Sequence, residues 1–280
     1  MLAALRPRQW SKNLLLFAGI LFAAEFDDPE RWAHATAAFV AYCLASSAAY
    51  IFNDVRDAPH DRLHPLKRHR PIASGALSAN RALNVAGIFA ALAFAIVAPL
   101  GWGSLAYMAG FMALQVAYSL GLKNIALIDV MAISGLFVIR AAAGAEAVDV
   151  RISPWLIVCT ALLALFLALA KRRGELVSTG VDGPGRPVLA GYSFALVDQL
   201  VSIVAACTIV AYALYTFEAR EGSAMMATIP FVVYGLFRYV QLMHREDLGE
   251  EPENVLLTDV PILATIAAWA VTSAVILALV

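Results

Sequence analysis

Nine stretches of apolar residues follow one another along this chain, at approximately 13–24, 33–52, 81–99, 103–119, 125–148, 154–170, 194–217, 225–243 and 260–280. A bilayer's hydrocarbon core is about 30 Å thick and takes roughly 20 apolar residues of helix to cross, so most of these segments are long enough, 13–24 being the short one. With 61% hydrophobic residues and a mean hydropathy of +0.75, a water-soluble globule would expose a very large apolar area. The expectation is an all-α, polytopic membrane protein of about nine transmembrane helices, forming a single domain over residues 1–280. The first apolar run has no small-residue cleavage site and leads straight into further apolar segments, so it reads as retained rather than as a signal peptide.

The distribution of the 20 Lys and Arg residues sets the expected orientation. With the N-terminus inside, the inner segments hold Arg6, Arg8 and Lys12; Arg56, Arg62, Lys67, Arg68, Arg70 and Arg81; Lys123; Lys171, Arg172, Arg173 and Arg186; and Arg238 and Arg245. Only Arg31, Arg151 and Arg220 fall outside, with Arg140 inside the fifth segment. The positive-inside rule therefore places the N-terminus in the cytoplasm. The outer loops carry acids instead, among them Glu25, Asp27, Asp28, Glu30, Glu146, Asp149, Glu218 and Glu221. Cys43, Cys159 and Cys207 lie within apolar segments at unrelated spacings, which suggests neither a disulfide framework nor a zinc site, and they read as small core residues.

Two inner loops, 53–80 and 171–193, are long and charged, and polar length is where function concentrates. The first opens Asn53-Asp54-Val55-Arg56-Asp57-Ala58-Pro59-His60-Asp61. If the preceding helix continues, Asn53, Asp57 and Asp61 recur at i, i+4 and i+8 on one face, although Pro59 should kink or end the helix and offset Asp61. Carboxylates gathered on one face repel each other unless a hard cation such as Mg²⁺ neutralises them, and Mg²⁺ commonly bridges carboxylates to substrate phosphates. The plainer account is that these are solvated acids offsetting Arg56 and Arg62. Lys67, Arg68 and Arg70 follow, suited to phosphate contacts or to anionic lipid.

Tyr118 and Lys123 sit at the same inner face, as a phosphate-binding pair or as an ordinary interfacial phenol with a snorkelling ammonium. Arg140, some fifteen residues into an apolar segment, requires a polar cavity or a fixed anion, for which Asp129, Asp198 and a ligand are candidates. Lys171, Arg172 and Arg173 directly follow an apolar segment, where they either stop transfer or hold the phosphate head of a lipid.

Together these residues resemble a known family. Asn53-Asp54…Asp57…Asp61 after an apolar helix is similar to the N-D-x-x-D-x-x-x-D motif of the UbiA superfamily of intramembrane prenyltransferases. Within it, the chain resembles the decaprenyl-phosphate phosphoribosyltransferase branch, through Arg6-Pro7-x-Gln9-Trp10-x-Lys12-Asn13, Lys67-Arg68-x-Arg70-Pro71-Ile72-Ala73-x-Gly75, Tyr118-Ser119-x-x-Leu122-Lys123, Lys171-Arg172-Arg173-x-Glu175-Leu176 and Leu256-Leu257-Thr258-Asp259. The likeness spans essentially the whole chain. In one respect it departs from the wider superfamily: where users of prenyl diphosphates carry a second Asp-rich motif, this chain has Lys171, Arg172 and Arg173.

The resemblance implies transfer of 5-phosphoribosyl from phosphoribosyl diphosphate to polyprenyl phosphate in a bacterial plasma membrane, with a cytoplasmic site. On that reading Asn53, Asp57 and Asp61 hold Mg²⁺. Asp54, Asp57, Asp61 and Lys123 serve the chemistry, and Lys12, Arg62, Lys67, Arg68, Arg70, Tyr118, Arg140, Lys171, Arg172 and Arg173 bind substrates. The expected partners are the two substrates and the membrane, with no nucleic acid and with a homo-oligomer left open. Two rivals stand beside it: prenyl transfer to an aromatic acceptor, and a transporter, against which the missing inverted repeat counts.

Overall fold

The computed structural model describes residues 2–23, 27–63, 67–151, 153–179, 187–218, 223–245, 255 and 258–279. Glu25, Arg186, Arg220, Glu221, Leu256 and Leu257 lie outside the described residues. Within them every element is helical. The eight long helices are α1 (Pro29–Asp61), α2 (Ala79–Val97), α3 (Trp102–Leu120), α4 (Ile128–Ala147), α5 (Pro154–Thr179), α6 (Phe194–Glu218), α7 (Ile229–Arg245) and α8 (Val260–Leu279). Six stretches of the described helices are long and apolar enough to cross a membrane, the exceptions among the eight being α3 and α8. α3 has the length, but Ser104, Gln115 and Ser119 lie on its buried face. Among the described residues, the apolar segment expected at 13–24 forms no spanning helix: Pro7–Phe17 is 3-10 helix and Ala18–Ala23 a short α-helix. Gln9, Lys12 and Asn13 make that stretch partly polar: Asn13 is buried, and Gln9 and Lys12 are half-buried. The chain is thus an all-α, multi-pass membrane protein.

The residues fall into two compact units, Met1–Lys123 with Gly135–Ile152, and Asn124–Ser134 with Ser153–Val280. In the first, α1 is the central element. Pro29 occupies its first turn and the Asp28 carboxylate accepts from the amides of Glu30 and Arg31, capping its N-terminus. Its buried positions are mostly small, including Ala35, Ala38, Ala41, Ala45, Ser46, Ala48 and Ala49, the composition that lets helices pack closely in lipid. Tyr42, Phe111, Met108 and Leu136 fill the middle of this unit. Gly144 is required by a close approach, because a Cβ there would overlap the carbonyl of Leu16.

The second unit has its own core of Phe166, Leu169, Val201, Leu236, Tyr239 and Met243. Asp259 caps α8 by accepting from the Ile262 amide at 3.0 Å, and Arg238 of α7 donates to its other oxygen at 2.9 Å. Of the three cysteines only Cys43 is buried; Cys159 is half-buried and Cys207 exposed. The expectation of three core cysteines therefore holds for one, since an apolar helix facing lipid needs no polar side to mark its outer surface.

Candidate active site

The opening of the loop expected at 53–80, Asn53 to Asp61, is instead the last turns of α1. The helix runs through Pro59 to Asp61 without ending. Pro59 lies two residues from the terminus, so it removes one backbone bond, to Val55, and leaves few further turns to disturb. At about 100° per residue, Asn53, Asp57, Asp61 and Asp54 occupy successive positions on one arc, with Asp61 closer in angle to Asp54 than to Asn53.

The side chains follow that order and separate into two pairs. Asn53 Nδ2 donates to Asp57 Oδ2 at 2.9 Å, and Lys123 Nζ closes over both, donating to Asp57 Oδ1 at 2.5 Å and to Asn53 Oδ1 at 3.0 Å. Asp54 and Asp61 form the other pair. Arg70 reaches both carboxylates, at 3.3 and 2.7 Å, and Arg6 reaches Asp54 at 2.5 Å. The second pair is sealed, its Asp54 and Asp61 side chains 3% and 7% exposed, whereas Asp57 keeps 30%. The expected single face of Asn53, Asp57 and Asp61 is therefore divided, because Arg70 draws Asp61 to the Asp54 side.

Two segments deliver these cations. Arg6 adopts φ 50° immediately before Pro7, a left-handed conformation uncommon for a residue with a side chain. Its guanidinium also lies 5.1 Å from the Tyr50 ring centre. The 3-10 helix behind it is tied to α1 by Trp10 Nε1 on Ser47 Oγ (3.0 Å) and Asn13 Nδ2 on Cys43 Sγ (3.3 Å). Arg70 is set by the turn that follows it: Ser74 donates to Arg70 O, Leu77 to Pro71 O, and Gly75 takes φ +82°, where a Cβ would be strained. Ile72 and Ala73 are buried by the same turn.

The other expected residues of this unit are distributed more loosely. Arg62 is exposed and donates to Ala73 O at 3.2 Å, Arg68 is exposed beside His69, and Lys12, Lys67 and Tyr118 are half-buried. Among the described residues, Arg140 meets no carboxylate. It donates to Asn13 Oδ1 at 2.7 Å and Leu136 O at 3.0 Å, with Phe111 and Phe137 ring centres 4.7 and 5.4 Å away. Neutral acceptors and aromatic faces thus take the place of the anion expected there. Sequence reasoning passed over Arg6 and Asn13 as site residues, although both stand in the N-terminal motif.

Asp129 and Asp198, the two acids considered for Arg140, are occupied within the second unit. Arg172 meets Asp129 at 2.8 Å and also pairs with Glu175; Arg173 donates to Asp198 at 2.8 Å and to Met243 O at 2.7 Å. α5 continues through Lys171, Arg172 and Arg173 to Thr179, so the loop expected from 171 begins later, these partners compensating the charges. Tyr192 completes the group by donating to Asp129 Oδ1 at 2.6 Å while accepting the Leu127 amide at 2.8 Å, which stabilises the left-handed Leu127 (φ 68°). Burial, and then the bond to Asp129, push the Tyr192 phenol up, so it stays neutral and keeps its proton for that bond. Lys171 is half-buried.

Hard oxygen donors with a cation between them are a chemically suitable start for a divalent ion. Among the described residues, however, no three acidic, histidine or cysteine side chains stand together as a complete ligand set. Asn53 Oδ1 and Asp57 Oδ1 are bridged by the Lys123 ammonium, which supplies the positive charge between them.

Comparison with known proteins agrees with this architecture. The chain is 35% identical to a decaprenyl-phosphate phosphoribosyltransferase of Mycolicibacterium smegmatis, over 96% of this chain and 89% of that one. It is 31% identical to the protein of the same name from Corynebacterium glutamicum, over 96% and 84%. A solved UbiA homolog from Archaeoglobus fulgidus, bound to DMAPP and Mg²⁺, superposes with a TM-score of 0.76 at 19% identity, covering 100% of this chain and 99% of that one, a likeness of fold. Residues 14–258 match the UbiA prenyltransferase family, and the chain belongs to it.

Proposed function

We propose that this protein transfers 5-phosphoribosyl from phosphoribosyl diphosphate to a polyprenyl phosphate. The observation that carries this reading is near full-length similarity, at 31–35% identity, to relatives named for that class of reaction. An acceptor phosphate oxygen attacks C1 of the ribosyl group, the C1–O bond to diphosphate breaks, and diphosphate leaves with the bonding pair. The acceptor is already largely ionised at neutral pH, a phosphate monoester having a second pKa near 6, so no general base is needed.

The requirement is charge control at the leaving group and placement of the acceptor. Asn53 and Asp57 would hold Mg²⁺, which when bound offsets the charge of the diphosphate, while Asp61, the third ligand expected from the motif, is engaged by Arg70 beside Asp54. Asp54 keeps Arg6 and Arg70 at the end of α1, and Lys123 with Arg70 lies within reach of that same helix end for phosphate contacts. Lys12, Arg62, Lys67, Arg68 and Tyr118 are the further donor-side groups, and Arg140 holds the N-terminal segment through Asn13. Lys171 is assigned to the lipid phosphate, consistent with the lack of a second Asp-rich motif, while Arg172 and Arg173, paired with Asp129 and Asp198, fix the turn of α5 that carries it. The site faces the cytoplasm of a bacterial plasma membrane in this reading, following the excess of Lys and Arg in the inner segments.

Purified protein given radiolabelled phosphoribosyl diphosphate, Mg²⁺ and polyprenyl phosphate should yield a labelled lipid. Prenyl transfer to an aromatic acceptor is the competing reading, favoured by the DMAPP-bound homolog. Product formed only from a prenyl diphosphate would overturn the first choice.

A further inference from the structure

We propose that the Lys123 ammonium is the resident counter-ion of the Asn53–Asp57 oxygen pair, and that a divalent ion binds by exchanging with it, releasing Lys123 toward a phosphate. This inference rests on the assignment of that pair to metal. Asn53 Nδ2 is spent on Asp57 Oδ2, which turns Asn53 Oδ1 and Asp57 Oδ1 to the same side, and Nζ lies 3.0 and 2.5 Å from them. Those two oxygens are the ones a hard cation would use, and two cations cannot share them without strong repulsion. The Lys123 side chain is 13% exposed and Asp57 30%, so the pair is accessible enough to open.

The neighbouring half behaves differently. Arg70 and Arg6 are tied to carboxylates that are nearly sealed, and Arg70 bridges two of them. Exchange is therefore localised to Lys123. A flexible ammonium on a four-carbon stem can leave one oxygen pair and reach another anion with little reorganisation, which a guanidinium fixed on two carboxylates cannot do. The same displacement supplies order to binding: the protein offers a second cation for phosphate only after a metal has taken its place.

Two measurements test it in the full-length protein in detergent or nanodiscs, without substrate. Mn²⁺ affinity by electron paramagnetic resonance should rise about tenfold or more in Lys123→Gln, and by no more than about threefold in Arg70→Gln, which removes an equal charge from the other pair. In wild type, amine acylation of Lys123 followed by mass spectrometry should be slow without metal and several-fold faster with Mg²⁺. This second readout holds even where Lys123→Gln fails to fold. Equal tightening in both variants, an unchanged affinity in Lys123→Gln, or Lys123 labelling that is indifferent to Mg²⁺ would overturn the exchange while leaving the metal assignment intact. If Mn²⁺ does not bind wild type, or binds it and Asp57→Asn equally, the metal assignment fails and the exchange with it.

Discussion

Arg172 and Asp129 of the second unit face each other with side chains 1% and 0% exposed, while Lys123 and Asp57 of the first do so at 13% and 30%. Both are cation–carboxylate pairs, and sequence alone identified neither. Burial separates them. A sealed pair has already lost its hydration and cannot give up a partner without stranding a charge, so it serves as structure. A pair that water still reaches can trade one cation for another, which is what a site for ionic substrates requires.

The difference is broken most severely by Arg172→Met, which leaves Asp129 buried with only Tyr192 and should cost about 3–5 kcal/mol of stability. Loss of folded protein, or a large fall in the denaturation midpoint, checks it; wild-type stability would show that the sealed cluster is not structural. Asp57→Asn should do the reverse, lowering phosphoribosyl transfer by roughly 10²–10³-fold with the unfolding midpoint nearly unchanged. A turnover assay alongside thermal melting separates the two behaviours, and wild-type rates would remove Asp57 from the chemistry. Arg6→Ala falls between them: Asp54 keeps Arg70, so the stability loss should be only about 1–3 kcal/mol.

The smallest effect calibrates the scale. Donation from Arg238 holds the Asp259 carboxyl below its ordinary 3.8. A depressed carboxyl contributes stability above its unfolded pKa and loses that contribution as pH falls through the lower, folded value. Wild type should therefore exceed Asp259→Asn in melting temperature at pH 7 by a small margin that persists to about pH 4 and shrinks below it. A gap that widens on acidification would contradict the pairing.

Much of the candidate site was readable residue by residue. The acidic motif, the cations after it and Lys123 were all found by asking which charges an apolar chain would not carry idly, and Lys123 does meet Asn53 and Asp57. What could not be read was partnership. For Arg140, charge alone offered Asp129, Asp198 or a ligand, and the structure gives it Asn13, a neutral residue 127 positions away. Arg6 looked like one more inner-face cation until its bond to Asp54 placed it in the site. At Lys171 the local cue erred because α5 continues where Arg172 and Arg173 find partners, whereas Pro59 sits too near the end of α1 to break it.

By itself the sequence determined the solvent, the helical class and the chemical inventory, because lipid admits only apolar segments whose backbone bonds are satisfied internally, and because charged residues are too costly there to be scattered. The tertiary structure decided which charges cancel which and how much water each retains. Those depend on distances between segments far apart in the chain, and neither hydropathy nor spacing carries that information.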